Sequence, residues 1–369
     1  MNHRPITVLA SIEWFVPAYR AGGIISSLKN QVEHLKGDID FRIVTGNADL
    51  ASTASLSDEV NCWTMRDGHQ VWHSTSTPDW TRLVDDVQPD LIYINGLFNG
   101  PFNRSLLRWT RNSGIPTRLA SHGMLAPNAL RIKPWRKWAW LTTQRILGSL
   151  NHVDWHATSA TERHQIKSWF PAARVHVAQN LPPNLALSPS SPSDGIHFLS
   201  IGRVHPIKNY PFAAQCLSRL AEHTGKHIVY RVIGPIEDPA EKGRILDCGS
   251  DQLSCEVIGE RSPDHLAAEF QRANALLVPS LTENYGQVIA EALANGVPSV
   301  VSDQTPWGRF PSSPALQCLP LDTTGWIKAM EPLMDLDRRA NLIATAQEYF
   351  SEHMLDDSIL HAHRHMLRP

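Results

Sequence analysis

The sequence predicts an α/β protein built from two doubly wound, Rossmann-like domains. In each half of the 369 residues, short apolar runs alternate with helical stretches, a pattern typical of parallel sheets covered by helices. Between the halves, the segment LPPNLALSPSSPSDG at 181–195 is rich in proline and serine and has no periodic pattern. It therefore indicates a linker between two domains of ordinary size.

The first domain is expected to span 1–180. Its apolar runs predict strands at 6–11, 41–45, 70–73, 90–95, 117–121, 153–158 and 175–179. Stretches with helical periodicity predict helices at 23–36, 78–87, 102–112, 134–148 and 160–169. In sheets of this kind ligands bind beyond the carboxyl ends of the strands, so the loops that follow the strands are the places to look for chemistry.

The second domain is expected to span 196–350. Strands are predicted at 197–202, 227–233, 254–258, 275–279 and 298–302, and helices at 209–222, 238–247, 262–272, 286–295, 322–335 and 337–350. The final segment, 351–369, is amphipathic and helical in pattern. We expect it to leave the second domain and pack on the first.

Composition excludes several classes of protein. Lysine and arginine total 34 against 36 aspartates and glutamates, a net charge of −2, which excludes a generally basic nucleic-acid binder. No apolar run approaches the length of a membrane span, and the N-terminal run soon meets Glu13, so no secretory signal is expected. Five scattered cysteines fit neither a disulfide framework nor a zinc site and suit a reducing cytosol.

The charge is unevenly distributed along the chain. Residues 1–180 carry 19 basic and 14 acidic side chains, whereas 181–369 carry 15 and 22. Between Leu91 and Val153 there are nine basic residues and no acidic one. We therefore expect a dipolar molecule with a basic patch on its first domain.

The most specific motif lies at 275–303, where a buried strand is followed by a polar loop and a helix that begins near Gly286. Glu283 lies in the loop, and Glu291 lies about one and a half turns into the helix. Two carboxylates beyond a strand suit a polyhydroxylated ligand, because each can accept charge-assisted hydrogen bonds from its hydroxyls. The free N–H groups at the helix start suit an adjacent anion. A solvated glutamate pair on an ordinary helix would show the same spacing.

A second motif is SIGRVHPIKN at 200–209, in which a strand ends at Gly202 and a loop carries Arg203 and Lys208. Arginine offers a planar fork and lysine a point charge, and both fit a diphosphate. Two ordinary surface cations remain the alternative interpretation.

Two weaker signals lie in the first domain. Gly22 and Gly23 open a helix after the first strand, where glycine lets a phosphate approach the backbone. His122 follows the strand TRLA, between Ser121 and Gly123, and could bind a sugar hydroxyl or a phosphate. Paired glycines are common in turns, and most of the 18 histidines are expected to have no such role.

Together these motifs resemble the retaining GT-B glycosyltransferases of family 4, the group 1 glycosyl transferase type. The shared order is Gly-Gly, His-Gly, linker, G-R-x4-K and E-x7-E, and the likeness spans nearly the whole chain, most closely 197–303. The segment VAQNLP at 177–182 is similar to the hinge of that family. The chain departs from the pattern at Tyr285, where Phe is usual, and at Asn180-Leu181-Pro182, where Asn-Gly is usual.

The resemblance implies two domains facing a central cleft, with a nucleotide diphosphate sugar held mainly by the second. It implies that Arg203 and Lys208 bind the diphosphate and that Glu291 binds the ribose. Glu283 would bind the donor sugar, which His122 would also face. The further donor-binding positions that it implies are Gly22, Gly23, Gly202, Asn209, Asn284, Tyr285, Gly286 and Gln287.

The expected reaction is transfer with retention to a glycan or polyprenyl-linked acceptor, in surface polysaccharide biosynthesis. Cationic side chains and helix N-termini would stabilise the leaving group, so no metal cofactor is expected. Asp38-Ile39-Asp40 and Asp335-Leu336-Asp337 match the D-x-D pattern of metal-dependent transferases. Both are interpreted as chance, because the first precedes its strand, at the edge opposite to ligand binding, and the second lies between helices.

Other classes stay open at this point. One is a GT-B enzyme of different outcome, a nucleotide-sugar epimerase or a sugar phosphorylase. Another is a protein that binds nucleotide sugars without catalysis. A dinucleotide oxidoreductase is disfavoured, because no G-x-G-x-x-G follows a strand, and a P-loop is absent.

The last expectation concerns 131–147, RIKPWRKWAWLTTQRIL, within the stretch free of acidic residues. At 100° per residue, Trp135, Trp138, Ala139 and Ile146 share one face, which is expected to contact the core. Arg136, Lys137 and Trp140 lie on the other side and suit an anionic lipid surface. A solvated helix is the alternative. We expect a cytoplasmic enzyme that contacts the inner face of the cell membrane peripherally through this patch.

Overall fold

The apolar runs fold into two separate parallel sheets, as the sequence predicts. The computed structural model describes residues 4–98, 101–131, 134–184, 195–354 and 356–369. The chain divides into unit 1, Met1–Leu181 with Asp357–Pro369, and unit 2, Pro182–Asp356. Most of the predicted linker, 185–194, lies outside the described residues.

Unit 1 contains an eight-stranded sheet in the order β3-β4-β2-β1-β5-β6-β7-β8. Its strands are β1 (Ile6–Ile12), β2 (Ile39–Gly46), β3 (Trp63–Arg66), β4 (His69–Ser74), β5 (Leu91–Asn95), β6 (Thr117–Ala120), β7 (Asp154–Ala157) and β8 (Val175–Val177). Neighbours pair in parallel, except that β3 and β4 form an antiparallel hairpin. The strand β3 was not predicted, because its four residues are at most half-buried and follow no apolar run.

The helices of unit 1 also follow the prediction closely. They are α1 (Gly23–His34), α2 (Trp80–Val87), α3 (Pro101–Trp109), α4 (Pro127–Leu130), α5 (Pro134–Ile146) and α6 (Ala160–Trp169). Only the single-turn α4 was not predicted. The chain order reverses at β1, which lies between β2 and β5, so the loops after β1 and β5 open at a topological switch point.

Unit 2 contains a six-stranded parallel sheet in the order β11-β10-β9-β12-β13-β14. Its strands are β9 (Ile196–Ile201), β10 (Ile228–Ile233), β11 (Leu253–Gly259), β12 (Ala275–Val278), β13 (Ser299–Ser302) and β14 (Leu316–Leu319). Its helices are α7 (Tyr210–Thr224), α8 (Pro239–Leu246), α9 (Pro263–Arg272), α10 (Gln287–Ala294), α11 (Thr323–Met330) and α12 (Arg339–Met354). The edge strand β14 was not predicted. The switch point lies at β9, between β10 and β12.

The C-terminal helix α13 (Asp357–Met366) belongs to unit 1, as predicted. Met366 and Leu367 complete the apolar cluster beneath β1 and α1, and Arg118 donates to the Met366 carbonyl over 2.9 Å. The return starts at Asp357 rather than at 351, because α12 continues to Met354. That methionine is buried in the core of unit 2.

The orientation predicted for α5 is wrong. Trp135, Trp138 and Ile146, assigned to the core face, are exposed, whereas Leu141 is fully buried. Trp140, assigned to the lipid face, packs edge-on against Phe98 at 5.5 Å between ring centroids. The helix carries apolar side chains on both sides, and periodicity alone cannot show which side meets the core.

Candidate active site

The loop that carries G-R-x4-K and the loop that carries the first glutamate of E-x7-E meet at the switch point of unit 2. The loop after β9 carries Gly202 to Asn209, and the loop after the neighbouring β12 carries Pro279 to Gly286. Their backbones are joined where Leu281 N donates to the Ile207 carbonyl over 2.9 Å. The two motifs, separated by about 80 residues in sequence, therefore form one site.

Glycine is required at the end of β9. Gly202 has φ of 146°, and a Cβ there would lie 2.7 Å from the hydroxyl of Tyr210. At the end of the next strand, Gly234 approaches so closely that a Cβ would lie 2.1 Å from the Gly202 carbonyl oxygen. Asn209 adopts a left-handed conformation, φ 52°, between the loop and α7. This packing brings the loop close to the strand ends and holds it there.

Lys208 and Glu283 form an ion pair at the centre of this site. The Lys208 Nζ lies 2.5 Å from the Glu283 Oε1, and the same oxygen accepts a hydrogen bond from the buried Ser280 hydroxyl at 2.8 Å. The two side chains are only 17% and 12% exposed. The structure thus places next to each other the predicted diphosphate-binding cation and the predicted sugar-binding carboxylate.

Arg203 points to a different partner, Glu237 in the loop after β10. Its Nη1 lies 2.8 Å from one carboxylate oxygen and 3.0 Å from the other. Both side chains are more exposed than the previous pair, at 46% and 36%. The loops are aligned by Val204, whose N–H donates to the Pro235 carbonyl and whose carbonyl accepts from Glu237 and Asp238.

The second half of the E-x7-E motif lies on α10. Gly286, φ 81°, precedes its first turn, and Gln287 is buried. Tyr285, which departs from the family pattern, is buried, and its carbonyl accepts from the indole N–H of the fully buried Trp307 at 2.5 Å. Asn284 and Glu291 are half-buried, the latter one turn further along the helix.

In unit 1, Gly22 and Gly23 lie at the start of α1, as predicted. Gly22 has φ of 65°, and a Cβ added there would meet no atom within 4 Å, so backbone conformation and not space favours glycine at this position. Its carbonyl accepts from Ile25 N at 2.9 Å, which closes the first turn.

His122 lies in a left-handed turn after β6, with φ of 47° followed by Gly123 at 74°. Its Nε2 lies 3.0 Å from Asn95 Oδ1, at the end of β5. In the tautomer with the proton on Nε2, the ring donates this hydrogen bond to the amide oxygen and leaves Nδ1 as an acceptor. Burial lowers the pKa of His122 to about 4, against the opposing charge of Glu162, so the ring is neutral near pH 7.

Glu162 holds this turn in place. The side chain is 1% exposed, and one oxygen accepts from the Ser121 hydroxyl at 2.7 Å and the Gly123 N–H at 2.6 Å. The other accepts from the N–H and hydroxyl of Thr158, at 2.7 and 2.8 Å. The carboxylate therefore fixes both residues that flank His122.

Three of the four D-x-D carboxylates form ion pairs with arginines. Asp38 accepts from Arg364 at 2.7 Å, and Asp40 pairs with Arg42 at 2.8 Å. Asp335 pairs with Arg338 at 3.2 Å. Within the part of the chain that the structure describes, no group of three or more His, Cys, Asp or Glu is arranged to hold a metal ion.

Sequence reasoning missed Glu162, Glu237 and Asn95. Ser159 and Glu162 match a capping box, and Ser159 does cap α6 by accepting from Glu162 N at 3.1 Å. The glutamate, however, bonds outside the helix, which the motif could not show. Asn95 ends β5 and Glu237 follows β10, and both strands lie next to a switch point, which is the signal that could have identified these residues.

Comparisons with known proteins agree with this geometry. The family model for glycosyl transferases group 1 matches residues 187–308. No curated protein sequence matches the chain.

Solved structures match over almost the full length. Sucrose-phosphate synthase from Thermosynechococcus elongatus is 16% identical, with 96% of each chain covered and a TM-score of 0.72. A glycosyltransferase from Rickettsia africae is 13% identical, covering 99% of this chain and 100% of that one, with a TM-score of 0.69. HepE from Anabaena, solved with UDP-glucose, is 15% identical, with 98% of each chain covered and a TM-score of 0.66.

The fold is therefore that of the GT-B glycosyltransferases. Residues 187–308 match the group 1 glycosyl transferase family, and this range includes the loops that carry Lys208 and Glu283.

Proposed function

We propose that this enzyme is a retaining, family 4 glycosyltransferase that uses a nucleotide diphosphate sugar. The observation that carries the proposal is the meeting of Lys208 and Glu283, 2.5 Å apart at the switch point of unit 2. A cation and a carboxylate side by side match a donor that presents a diphosphate next to a polyhydroxylated ring.

Each predicted residue has a proposed role in that site. Arg203 and Lys208 bind the diphosphate, Glu283 binds hydroxyls of the sugar, and Glu291 binds those of the ribose. The backbone from Asn284 to Gly286 and the start of α10 lie beside the phosphates. Gly202, Asn209 and Gln287 shape the same pocket of unit 2.

For unit 1 we propose that Gly22 and Gly23 admit the phosphate and that His122 binds the sugar. In the neutral tautomer that carries its proton on Nε2, His122 donates to Asn95 and offers Nδ1 as acceptor for a sugar hydroxyl. The neutral ring is preferable here, because a hydroxyl can donate to an unprotonated nitrogen.

In the proposed reaction the acceptor hydroxyl attacks the anomeric carbon on the face from which the nucleoside diphosphate departs. The bond from that carbon to the phosphate oxygen breaks, and a leaving phosphate oxygen takes the hydroxyl proton. Arg203, Lys208 and the α10 N-terminus stabilise the charge that develops on the diphosphate, so no metal cofactor is needed.

The setting that we propose is surface polysaccharide biosynthesis, with a glycan or polyprenyl-linked acceptor on the cytoplasmic side of the membrane. The HepE structure supports a sugar-nucleotide donor, since that protein was solved with UDP-glucose. The sign of the charge in unit 1 supports an anionic lipid-linked partner, because residues 91–153 carry no acidic side chain.

The test begins with a thermal-shift screen of UDP, GDP and ADP and of their sugars. A ligand at 100 times its Kd stabilises by about 2.7 kcal/mol. The sugar that binds is then incubated with and without acceptor glycans, and the product is analysed by NMR for the anomeric configuration. Three outcomes would contradict the proposal. A product of inverted configuration would indicate an inverting enzyme, and turnover without acceptor would indicate an epimerase or a phosphorylase. Binding of the sugar nucleotide without turnover would indicate a binding protein.

A further inference from the structure

The helix α5 exposes an unusual amount of apolar surface. Trp135 is 72% exposed, Trp138 54%, Ile146 77% and the following Leu147 69%. These four belong to the eleven large apolar side chains that are exposed in the described ranges, and no other tryptophan is among those eleven. Monomeric proteins rarely leave such a cluster uncovered without a binding role.

Three members of the cluster form one stripe along the helix together with Ala139, and Leu147 follows the end of the helix. Trp135, Trp138, Ala139 and Ile146 lie within about 100° of one another when each residue turns by 100°. The stripe is about 16 Å long, from a rise of 1.5 Å per residue. Trp138 extends it towards α6, where it contacts Trp169 edge-on at 4.7 Å between ring centroids.

The opposite side of α5 is held by the core, so the stripe cannot turn inwards. Leu141 is fully buried, and Trp140 packs on Phe98. Lys137 donates to the Ala129 carbonyl at 2.6 Å and its ammonium lies 5.2 Å from the Phe98 ring centroid. Of the residues first expected to face lipid, only Arg136 lies beside the stripe, 5.3 Å from the Trp135 ring centroid.

The charges around the stripe have one sign. Arg131, Arg136 and Arg145 are exposed, and 91–153 contains no acidic residue. On the neighbouring α6 the one carboxylate, Glu162, is buried. Lys133 lies outside the described residues.

We propose that the exposed face of α5, defined by Trp135, Trp138 and Ile146, docks on an anionic phospholipid membrane together with Leu147 just beyond the helix end. Tryptophan prefers the interface between headgroups and acyl chains, and arginine is attracted to anionic headgroups. A second copy of the chain is the poorer partner. A symmetric contact through this face would place the arginines of both copies together, whereas anionic lipid neutralises them.

Docking is peripheral. Among the described helices, none combines the length and the apolar content needed to cross a bilayer. Membrane docking would bring the enzyme to the proposed lipid-linked acceptor, and in that respect the inference rests on the proposed function. Binding of this surface to membranes can be tested without any substrate.

The experiment is co-sedimentation of the full chain with vesicles of phosphatidylcholine alone and of phosphatidylcholine mixed with phosphatidylglycerol. We expect binding to the mixed vesicles that falls steeply with salt, because the Debye length shortens to about 3 Å at 1 M. The double variant Trp135→Ser/Trp138→Ser should bind at least roughly tenfold more weakly, since two apolar rings are removed from the interface. Arg136→Gln/Arg145→Gln should lose the preference for anionic lipid.

The matched control is Met65→Ser/Leu246→Ser, which removes two exposed apolar side chains elsewhere and should bind like the original protein. Equal binding to both kinds of vesicle, or undiminished binding of the tryptophan variant, would overturn the proposal. Light scattering that shows a dimer, lost in the tryptophan variant, would assign the face to a second copy instead.

Failure of the proposed function is measured separately. Binding of UDP, GDP and ADP by calorimetry should be the same in the tryptophan variant as in the original protein. Vesicle binding without nucleotide binding would refute the donor site and support the docking face. Nucleotide binding without vesicle binding would refute the docking face and support the donor site.

Discussion

Lys208 and Glu283 are 75 residues apart in sequence, yet their side chains form an ion pair with 2.5 Å between Nζ and Oε1. The pair is mostly covered, whereas the pair of Arg203 and Glu237 is open to solvent. Removing one partner of a buried pair leaves an uncompensated charge, at a cost of about 3–5 kcal/mol, while an exposed pair contributes about 0–1 kcal/mol. The two proposed diphosphate-binding cations should therefore respond differently to substitution.

Arg203→Ala should lower turnover by roughly 100-fold while hardly changing stability. The expected loss is on the scale of removing one donor that stabilises transition-state charge. Steady-state kinetics with the donor found in the screen measures the first effect, and the urea midpoint of unfolding the second. Unchanged turnover would remove Arg203 from the site.

Lys208→Ala should also lower turnover by roughly 100-fold, but in addition lower the free energy of unfolding, by less than the ~3–5 kcal/mol of a fully buried pair, because both side chains are partly exposed. The double variant Lys208→Met/Glu283→Gln, which leaves no charge behind, should recover most of that stability without recovering activity. If the double variant is no more stable than the single one, the ion pair does not set the stability of this loop.

Glu291→Ala should mainly weaken nucleotide binding. Loss of a carboxylate that accepts from ribose hydroxyls should cost about 1.5–3 kcal/mol, or roughly a tenfold to hundredfold rise in Kd by calorimetry. Glu222→Ala, an exposed glutamate on α7, is the control and should bind normally. Equal affinity in both variants would count against the ribose role.

Treatment with EDTA should leave the activity largely intact. Arg203, Lys208 and the start of α10 are proposed to supply the positive charge that a metal ion supplies in other transferases. Activity is measured after chelation and dialysis, with and without added Mg²⁺. Complete loss that Mg²⁺ restores would contradict the prediction and direct attention back to the aspartate triplets.

Most of the fold could be predicted because two kinds of signal are local. An apolar run or a helical periodicity can be recognised within one short segment of the sequence. Nearly every predicted element therefore lies within a few residues of its observed bounds. The strands β3 and β14 lack that signal, since both lie at sheet edges and are mostly half-buried.

The orientation of α5 and the partners at the site depend on tertiary packing and could not be predicted. The helix has apolar residues on two sides, and the choice of Leu141 and Trp140 as core residues depends on Phe98, which comes from another segment. The carboxylates of Glu162 and Glu237 likewise act on loops that are distant in sequence. Periodicity and short motifs carry no information on such pairs.

Glu162→Gln should impair catalysis through His122 without changing the affinity for the nucleoside diphosphate. The amide that replaces one carboxylate oxygen cannot accept, so two of the four hydrogen bonds are lost, at about 1.5–3 kcal/mol each. The turn that carries His122 would then be held less firmly, and the misplaced ring should lower turnover by up to roughly 100-fold. The Kd for nucleoside diphosphate should stay constant, because the residues proposed to bind it most strongly belong to unit 2.

The control for this variant is Glu33→Gln, the same chemical change at a half-exposed position on α1. It should keep full turnover. If Glu162→Gln loses nucleotide binding in proportion to turnover, Glu162 has a general structural role and does not position His122.

The last prediction is that the packing of α13 on unit 1 weakens as the pH falls below neutrality. Burial lowers the pKa of His363 to about 3. The neutral ring is held by the Gln179 carbonyl at 2.7 Å and by Gln31 at 2.9 Å. The neighbouring His156 ring lies 5.7 Å away, between centroids, and burial lowers its pKa as well.

The direction of this pH dependence follows from comparing protonation of His363 in the folded and unfolded protein. In the unfolded chain His363 has a pKa near 6.5 and takes up a proton below that pH, whereas in the folded protein it stays neutral down to about 3. Its contribution is complete above about pH 6.5 and decreases as the pH falls, by at most about 1.4 kcal/mol per pH unit for each such histidine. The urea midpoint should therefore fall between pH 7 and pH 5. His363→Gln should flatten that dependence, whereas His361→Gln, at an exposed position of the same helix, should not. An identical pH dependence in all three proteins would show that other groups control the acid sensitivity.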